Sequence, residues 1–231
     1  MNLVFDIGFN RGDFSRVCLE KNPDCKIIGV EANANLYYDF KQTENIKLLH
    51  YIVSDEEEKM VEFFIDPSQD GISTASKEFM NNSRFSKGSK YLREKSATWF
   101  NVGKVKTITL DRMIIENGNP DIIKIDVEGY EYNVVKGLNQ KSGKICFECH
   151  EEEAEKLEKI IQHLIGLGYN QFGLIGYYDE GDTFEKLTYS DQGDPYMVEP
   201  NAYYEWNVLK KEIDKCFKEG RRVNYGMVWA K

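Results

Sequence analysis

FDIGFNRGDF, residues 5–14, is the stretch on which the reading of this chain turns. Two glycines four apart follow an apolar run, with an acid before the first and an asparagine between them. LVFDIG (3–8) reads as a short buried strand, and the stretch from Asp13 to Lys21 carries Phe14, Val17 and Cys18 at helical spacing until Asn22-Pro23 ends it. A strand turning through glycine into a helix brings backbone close to a ligand and presents the free N–H groups of a helix start. The dinucleotide pattern G-x-G-x-x-G is absent, because the glycines are Gly8 and Gly12 with Asn10 and Arg11 between them. Such a turn also serves merely to join a strand to a helix, so its meaning depends on what surrounds it.

Outward from that turn the pattern repeats. KIIGVEA (26–32) reads as a strand, a helix runs through Leu36 and Phe40, and IKLLHYIVSD (46–55) reads as a third strand. This β-α-β-α-β order is the signature of a parallel sheet with crossover helices. VEFFID (61–66) and KTITLD (106–111) are shorter strand-like runs. DIIKIDVEG (121–129) is apolar enough for a central strand, followed by a helix from Tyr130 to Leu138. KICFECH (144–150) is the next strand, and Glu152 to Leu167 is helical through Ala154, Leu157, Ile160, Ile161 and Leu164. The polar aromatic run YNQFGLIGYYD and the closing NYGMVWA (224–230) are expected to pair antiparallel at the sheet edge. The expected fold is a doubly wound, mostly parallel α/β sheet with an antiparallel C-terminal hairpin. No internal repeat or low-complexity tract interrupts it.

At 231 residues and 41% hydrophobic content the chain supports one substantial core, so it is read as a single domain, 1–231. The opening MNLVF carries no basic leader pattern, and no apolar run approaches the ~18 residues of a membrane span. Cys18, Cys25, Cys146, Cys149 and Cys216 form an odd, irregularly spaced set, which suits a reducing, cytoplasmic setting better than a disulfide framework. The net charge of −9 disfavours generic nucleic-acid binding. The charge is uneven, however: between Lys77 and Lys106 a local +6 (Lys77, Arg84, Lys87, Lys90, Arg93, Lys95, Lys104 and Lys106 against Glu78 and Glu94) leaves −15 elsewhere. With Phe79, Phe85, Tyr91, Trp99 and Phe100 it reads either as a lid for a phosphorylated acceptor or as a solvated helix with one buried face.

Asp6 at the first strand end would attract a cationic ligand group rather than a phosphate. Glu31 ends the second strand, 23 residues after Gly8, where a carboxylate accepts hydrogen bonds from ribose hydroxyls. A ligand with an amino-acid end, a ribose and a cationic centre meets these demands better than NAD, and that ligand is S-adenosylmethionine. Residues two apart in a strand share a face, so Lys124, Asp126 and Glu128 point one way, and Cys146, Glu148 and His150 share a face on the next strand. If the two strands are adjacent, Asp126, Glu128, Glu148 and His150 converge on the crevice where open parallel sheets bind ligands. For methyl transfer, Asp126 is the first choice of general base and His150 the second. The same four residues suit a hard divalent cation such as magnesium, while Asp126 and Glu128 equally suit capping of the helix near Tyr130. Lys124 is expected to pair with a carboxylate, Glu148 or Asp6. C-x-x-C-H at 146–150 matches a haem or redox pattern on paper, but sulfurs three apart in a strand face opposite sides, so both are read as small core residues.

The chain resembles the FkbM-type methyltransferases of the seven-stranded, Rossmann-like class that uses S-adenosylmethionine. The resemblance is carried by VFDIGFNRGDFS (4–15), GVEANANL (29–36), VSDEEEKMVEF (53–63), TITLDRMI (107–114), DIIKIDVEGYEYNVVKGL (121–138) and ICFECHEE (145–152). It implies that Asp6, Gly8, Asn10 and Gly12 line the methionine end of the donor, that Glu31 takes the ribose, and that Asp55 lies near the adenine. It also implies O-methylation, often of a sugar hydroxyl in a glycan or natural product. A protein, lipid or small natural product as acceptor, or a nucleotide-binding module without catalysis, are the alternatives. The segments 66–106 and 176–222 match no family pattern and are expected to be acceptor-side insertions. In the second, Tyr177, Tyr178, Tyr189, Tyr196, Tyr203, Tyr204 and Trp206 alternate with Asp179, Asp182, Asp191 and Glu205, a mixture suited to sugar rings or to hairpin packing.

Overall fold

The computed structural model describes residues 1–89, 96–177, 188–189, 199–218 and 225–231. Lys90, Tyr91, Arg93, Lys95, Tyr178, Asp179, Asp182, Asp191 and Tyr196 therefore lie outside the described residues. The elements are β1 (Leu3–Ile7), α1 (Asp13–Lys21), β2 (Lys26–Val30), α2 (Ala34–Asp39), β3 (Ile46–Leu49), β4 (Ile52–Val53), β5 (Met60–Ile65), α3 (Lys77–Asn82), β6 (Phe100–Ile108), α4 (Leu110–Asn117), β7 (Ile122–Ile125), α5 (Glu131–Lys136), β8 (Lys144–His150), α6 (Ala154–Gly166), β9 (Phe172–Tyr177), β10 (Thr188–Tyr189), α7 (Trp206–Lys218) and β11 (Tyr225–Ala230).

The main sheet has the order β10-β9-β11-β8-β7-β1-β2-β3, seven strands plus the two-residue β10. Every neighbouring pair is parallel except those that β11 makes with β8 and β9. From β1 the chain first builds outward through β2 and β3, then returns to lay β7 on the other side. The strand order therefore reverses between β1 and β2 on one hand and β7 and β8 on the other, which opens a crevice at their C-terminal ends. Val4 and Phe5 are fully buried, one on each face, as expected of a central strand.

Two stretches depart from the sequence reading. The expected third strand over 46–55 divides: β3 stays in the main sheet, whereas β4 leaves to pair with β6 in a separate sheet of order β4-β6-β5. The strand expected through Asp111 stops at Ile108, because Thr109 caps a helix by accepting the Arg112 N–H at 3.1 Å. Leu110, Met113 and Ile114 then lie buried on one helical face. In the expected C-terminal antiparallel pair, β11 is the inner strand, inserted between β8 and β9 with Tyr225 opposite both His150 and Tyr177. Its antiparallel pairing with β9 is as expected, and α7, with Trp206, Leu209 and Ile213 buried, packs close to β9.

Cys18, Cys25, Cys146 and Cys149 are free thiols. Among the described residues, no helix is long and apolar enough to cross a membrane.

The inserted position of β11 depends on Gly226, where a Cβ would collide with the carbonyl oxygen of Ile175 on β9. Gly226→Ala is expected to lower the unfolding free energy by about 1–3 kcal/mol in urea denaturation. Unchanged stability would mean that β11 is not wedged between β8 and β9.

Candidate active site

A cavity of about 570 Å³ opens at the C-terminal ends of β1, β2, β7 and β8, a size typical of small-molecule sites. Its first wall is the turn after β1. Gly8, Asn10 and Gly12 all have left-handed backbone, with φ of 77°, 48° and 78°. The N–H groups of Gly8 and Phe9 both donate to Val30 O, which ties the turn to β2. A Cβ on Gly8 would strike the Asp126 carbonyl, and one on Gly12 would strike the Phe9 ring. These glycines are thus required by packing as well as by backbone conformation. Gly8 and Asn10 line the cavity, whereas Gly12 precedes α1 and does not.

Glu31, 6% exposed, lines the same cavity just past β2. Its two carboxylate oxygens accept the Asn10 and Asn33 N–H groups, each at 2.7 Å. A carboxylate offers about four acceptor positions, so capacity remains on both oxygens. Asp55 is not brought to the cavity. Its carboxylate pairs with Lys136 and accepts the Ser54 hydroxyl, and Tyr51, Ile52 and Val53 form that wall instead.

Asp6 also lies behind the cavity surface. It is fully buried, accepts the Ser15 hydroxyl at 2.6 Å and stands 3.3 Å from the Lys124 ammonium. Lys124 donates to the Gly8 carbonyl at 2.8 Å and stands 3.5 Å from Asp126. Of the two partners expected for this lysine, Asp6 is found, and Asp126 takes the place of Glu148. Burial alone would discharge the ammonium, but Asp126 and Asp6 outweigh it and hold its pKa above the ordinary value.

Beyond Lys124 the expected cluster assembles, though not by strand alternation throughout. Glu148 and His150 share a face of β8 as read from the sequence. β7, however, ends at Ile125, and Glu128 reaches the cavity through a left-handed turn with φ 55°. His150 Nε2 is 3.1 Å from Glu148 Oε2 and 3.8 Å from Glu128 Oε2. The Phe79 ring packs against the imidazole at 5.7 Å. Burial pushes the Asp126 carboxyl up to about 7, with Glu148 adding and Lys124 opposing. Burial and the neighbouring carboxylates also hold Glu128 well above its usual range. For His150 burial acts downward, but Glu148 overcomes it and the imidazole is raised to about 9.

Neither Asp126 nor Glu128 caps α5. That helix has no side-chain N-cap bond, and Glu131 in its first turn folds back to accept the Val127 and Gly129 N–H groups at 3.0 and 3.3 Å. Both strand-end acids therefore remain directed at the cavity, which they line with Glu148 and His150.

The facing wall comes from Phe63, Ile72, Ser73, Arg84 and Phe85; Arg84 and Phe85 belong to the segment read as a lid or a solvated helix, whereas Phe63, Ile72 and Ser73 were not singled out by the sequence. Arg84 forms a buried double ion pair with Glu152, at 2.9 and 3.1 Å. Lys77 pairs with Glu62, and Lys106 with Glu58. The described part of the basic segment is thus largely neutralised by acids outside it. Arg11 reaches Asp70 at 2.5 Å and links the β1 turn to this wall.

Removing Lys124 would leave Asp6 buried beside an unpaired Gly8 carbonyl. Lys124→Met is expected to lose about 3–5 kcal/mol of stability in chemical denaturation; a loss below about 1 kcal/mol would contradict the bridging role.

A family profile described as the methyltransferase FkbM domain matches residues 6–170. No curated protein matches the sequence. Among solved structures, the chain is similar to precorrin-6y C5,15-methyltransferase from Geobacter metallireducens GS-15, at 10% identity and TM-score 0.45 over 99% of this chain and 79% of that one. It is also similar to a TehB-like SAM-dependent methyltransferase from Corynebacterium glutamicum ATCC 13032, at 8% identity and TM-score 0.44 over 100% and 79%. The plantazolicin methyltransferase BpumL in complex with SAH gives 8% identity and TM-score 0.41 over 100% and 76%. The profile match extends over residues 6–170, a range that includes Asp6, Glu31, Asp126 and His150, and the chain belongs to the FkbM methyltransferase family of S-adenosylmethionine-dependent enzymes.

Proposed function

We propose that the protein transfers the methyl group of S-adenosylmethionine to a hydroxyl of a carbohydrate: a sugar in a glycan, a nucleotide sugar or a glycolipid. The observation that carries this reading is the position of Asp126. It lies on the cavity wall between the β1 turn, to which Lys124 links it, and the Glu128–Glu148–His150 cluster.

The residues present fit the donor. Glu31 retains acceptor capacity toward the cavity for a ribose diol, the Gly8–Asn10 turn supplies backbone for the methionine end, and Tyr51, Ile52 and Val53 give an apolar wall for a base. Asp6 acts one layer behind, through Lys124 and Ser15, and Gly12 acts by fixing the start of α1. Bound S-adenosylmethionine supplies an electrophilic methyl on a sulfonium, whose sulfur keeps the C–S electron pair as the acceptor oxygen takes the methyl. Asp126 receives the hydroxyl proton in that event. Holding the acceptor oxygen in line contributes up to ~7–11 kcal/mol, against ~10²–10⁴-fold from a base, so the walls matter more than the proton acceptor. His150, the second candidate base, is already engaged by Glu148.

The wall chemistry supports a polyol acceptor. Arg11, Arg84 and Lys124, the cations lining the described cavity, are each ion-paired with carboxylates. What remains is a set of carboxylates, which accept hydroxyl protons, and the rings of Tyr51, Phe63, Phe85 and Tyr130. Within the single domain read from the sequence, the stretch from Asp70 to Phe85 supplies the acceptor side. The buried thiols of Cys18, Cys25 and Cys146 suit a cytoplasmic setting.

Asp126→Asn is expected to lower kcat for methyl transfer by about 10²–10⁴-fold while changing adenosylhomocysteine affinity only slightly. The assay is transfer of labelled methyl into glycan, lipid, protein and small-molecule fractions. Label confined to protein or lipid would displace the carbohydrate reading, and full turnover in the variant would remove Asp126 from the chemistry. Glu31→Ala is expected to weaken adenosylhomocysteine binding about 10- to 100-fold in calorimetry; unchanged affinity would place the ribose elsewhere.

A further inference from the structure

We propose that Glu128, Glu148 and His150 form a divalent-cation site of the manganese or magnesium class at the acceptor end of the cavity. The site stands on these side chains alone; only its part in turnover rests on the methyl-transfer reading above.

One ligand atom from each of the three residues lies within 4.8 Å of the other two. Oxygen and nitrogen ligands at the ~2.0–2.6 Å of hard-cation coordination have separations of this order when they share one ion. The set is built from two elements. β8 presents Glu148 and His150 two residues apart on one face, and the turn after β7 carries Glu128 across to them. Phe79 backs the imidazole, which restricts the ring to the plane it holds. All three residues line the cavity, so water or an acceptor hydroxyl can complete the coordination shell.

The charges in the cluster are incompletely answered among the described residues. Glu128 Oε2 and Glu148 Oε2 are both buried, and Glu128 Oε2 accepts no hydrogen bond from the described residues. The imidazole stands 3.8 Å from it and closer, at 3.1 Å, to Glu148. The neighbouring cations answer other carboxylates first: Lys124 pairs with Asp6 and Asp126, Lys156 with Glu153 and Glu78, and Arg84 with Glu152, its charge also reaching Glu148. Glu148 is answered by the imidazole, whereas ionising the buried Glu128 beside it costs several kcal/mol, a cost that a divalent cation held by both removes. Asp126, grouped with this set on sequence grounds, pairs with Lys124 and hydrogen-bonds Glu148 but falls outside the converging triad. There it is placed to take a proton from a hydroxyl that the cation acidifies.

Two carboxylates favour magnesium, calcium or manganese, and the imidazole favours the transition metals, so manganese suits both halves and serves as the probe. The full chain, stripped with EDTA, is titrated with Mn²⁺ while free Mn²⁺ is followed by electron paramagnetic resonance. Saturable binding of one ion per chain is expected, weakened at least about tenfold in Glu128→Gln and in Glu148→Gln and retained in Asp55→Asn. Glu128→Gln removes a buried charge, so its melting temperature without metal should equal or exceed that of the wild type. It should also lack the rise that Mn²⁺ gives the wild type. No saturable binding, or equal binding in both glutamine variants, overturns the site. Methyl transfer to a sugar at full rate in EDTA overturns the cation's part in turnover, whereas Mn²⁺ binding without transfer to any sugar supports the site and removes only the carbohydrate reading.

Discussion

The ammonium group of Lys124 is the point on which the cavity is built. It touches the Gly8 carbonyl, Asp6 and Asp126, three groups that belong to the β1 strand, its turn and the end of β7. A buried cation among two carboxylates and a carbonyl has no low-energy alternative partner, so it fixes the separation of the two strand ends. The left-handed Gly8, packed against the Asp126 backbone, reinforces that separation from the other side. With the turn held in this way, the Asn10 N–H is delivered to Glu31, which builds the wall proposed for the donor.

The sheet order explains why so few residues suffice. Because β1 lies between β2 and β7, the carboxylate after β2 and the acids after β7 and on β8 meet at one crevice without any long excursion of the chain. The facing wall is different in kind. It is assembled by β5 and the segment from Asp70 to Phe85, tied back through Arg84–Glu152 and Arg11–Asp70. The proposed donor side is therefore set by the parallel sheet, and the proposed acceptor side by a segment held with ion pairs. This is the division expected of a fold that keeps one donor and varies its acceptors.

Much of this was legible in the sequence. Apolar runs over 3–7, 26–30 and 144–150 gave the parallel strands, and two-residue periodicity on β8 correctly placed Glu148 and His150 together. What was not legible depended on contacts distant in sequence. The break between β3 and β4 follows from pairing with β6, some 55 residues later, which no local pattern carries. Thr109 ahead of Leu110, Met113 and Ile114 is a readable cap and helical face, yet the β-branched run before it argued for a longer strand. Glu128 reached the cavity through a positive φ rather than strand alternation, so its placement was right and the reason for it different. Asp55 and Gly12 show the converse: both sit beside the expected wall, yet Lys136 and Phe9 claim them.

The most direct test of this account is a crystal structure of the protein with adenosylhomocysteine bound. The account predicts the ribose hydroxyls on Glu31, the methionine end against the Gly8–Asn10 turn, and the sulfur facing Asp126 across the space where an acceptor hydroxyl would enter. A ligand seated away from Glu31, or with its sulfur turned from Asp126, would contradict it.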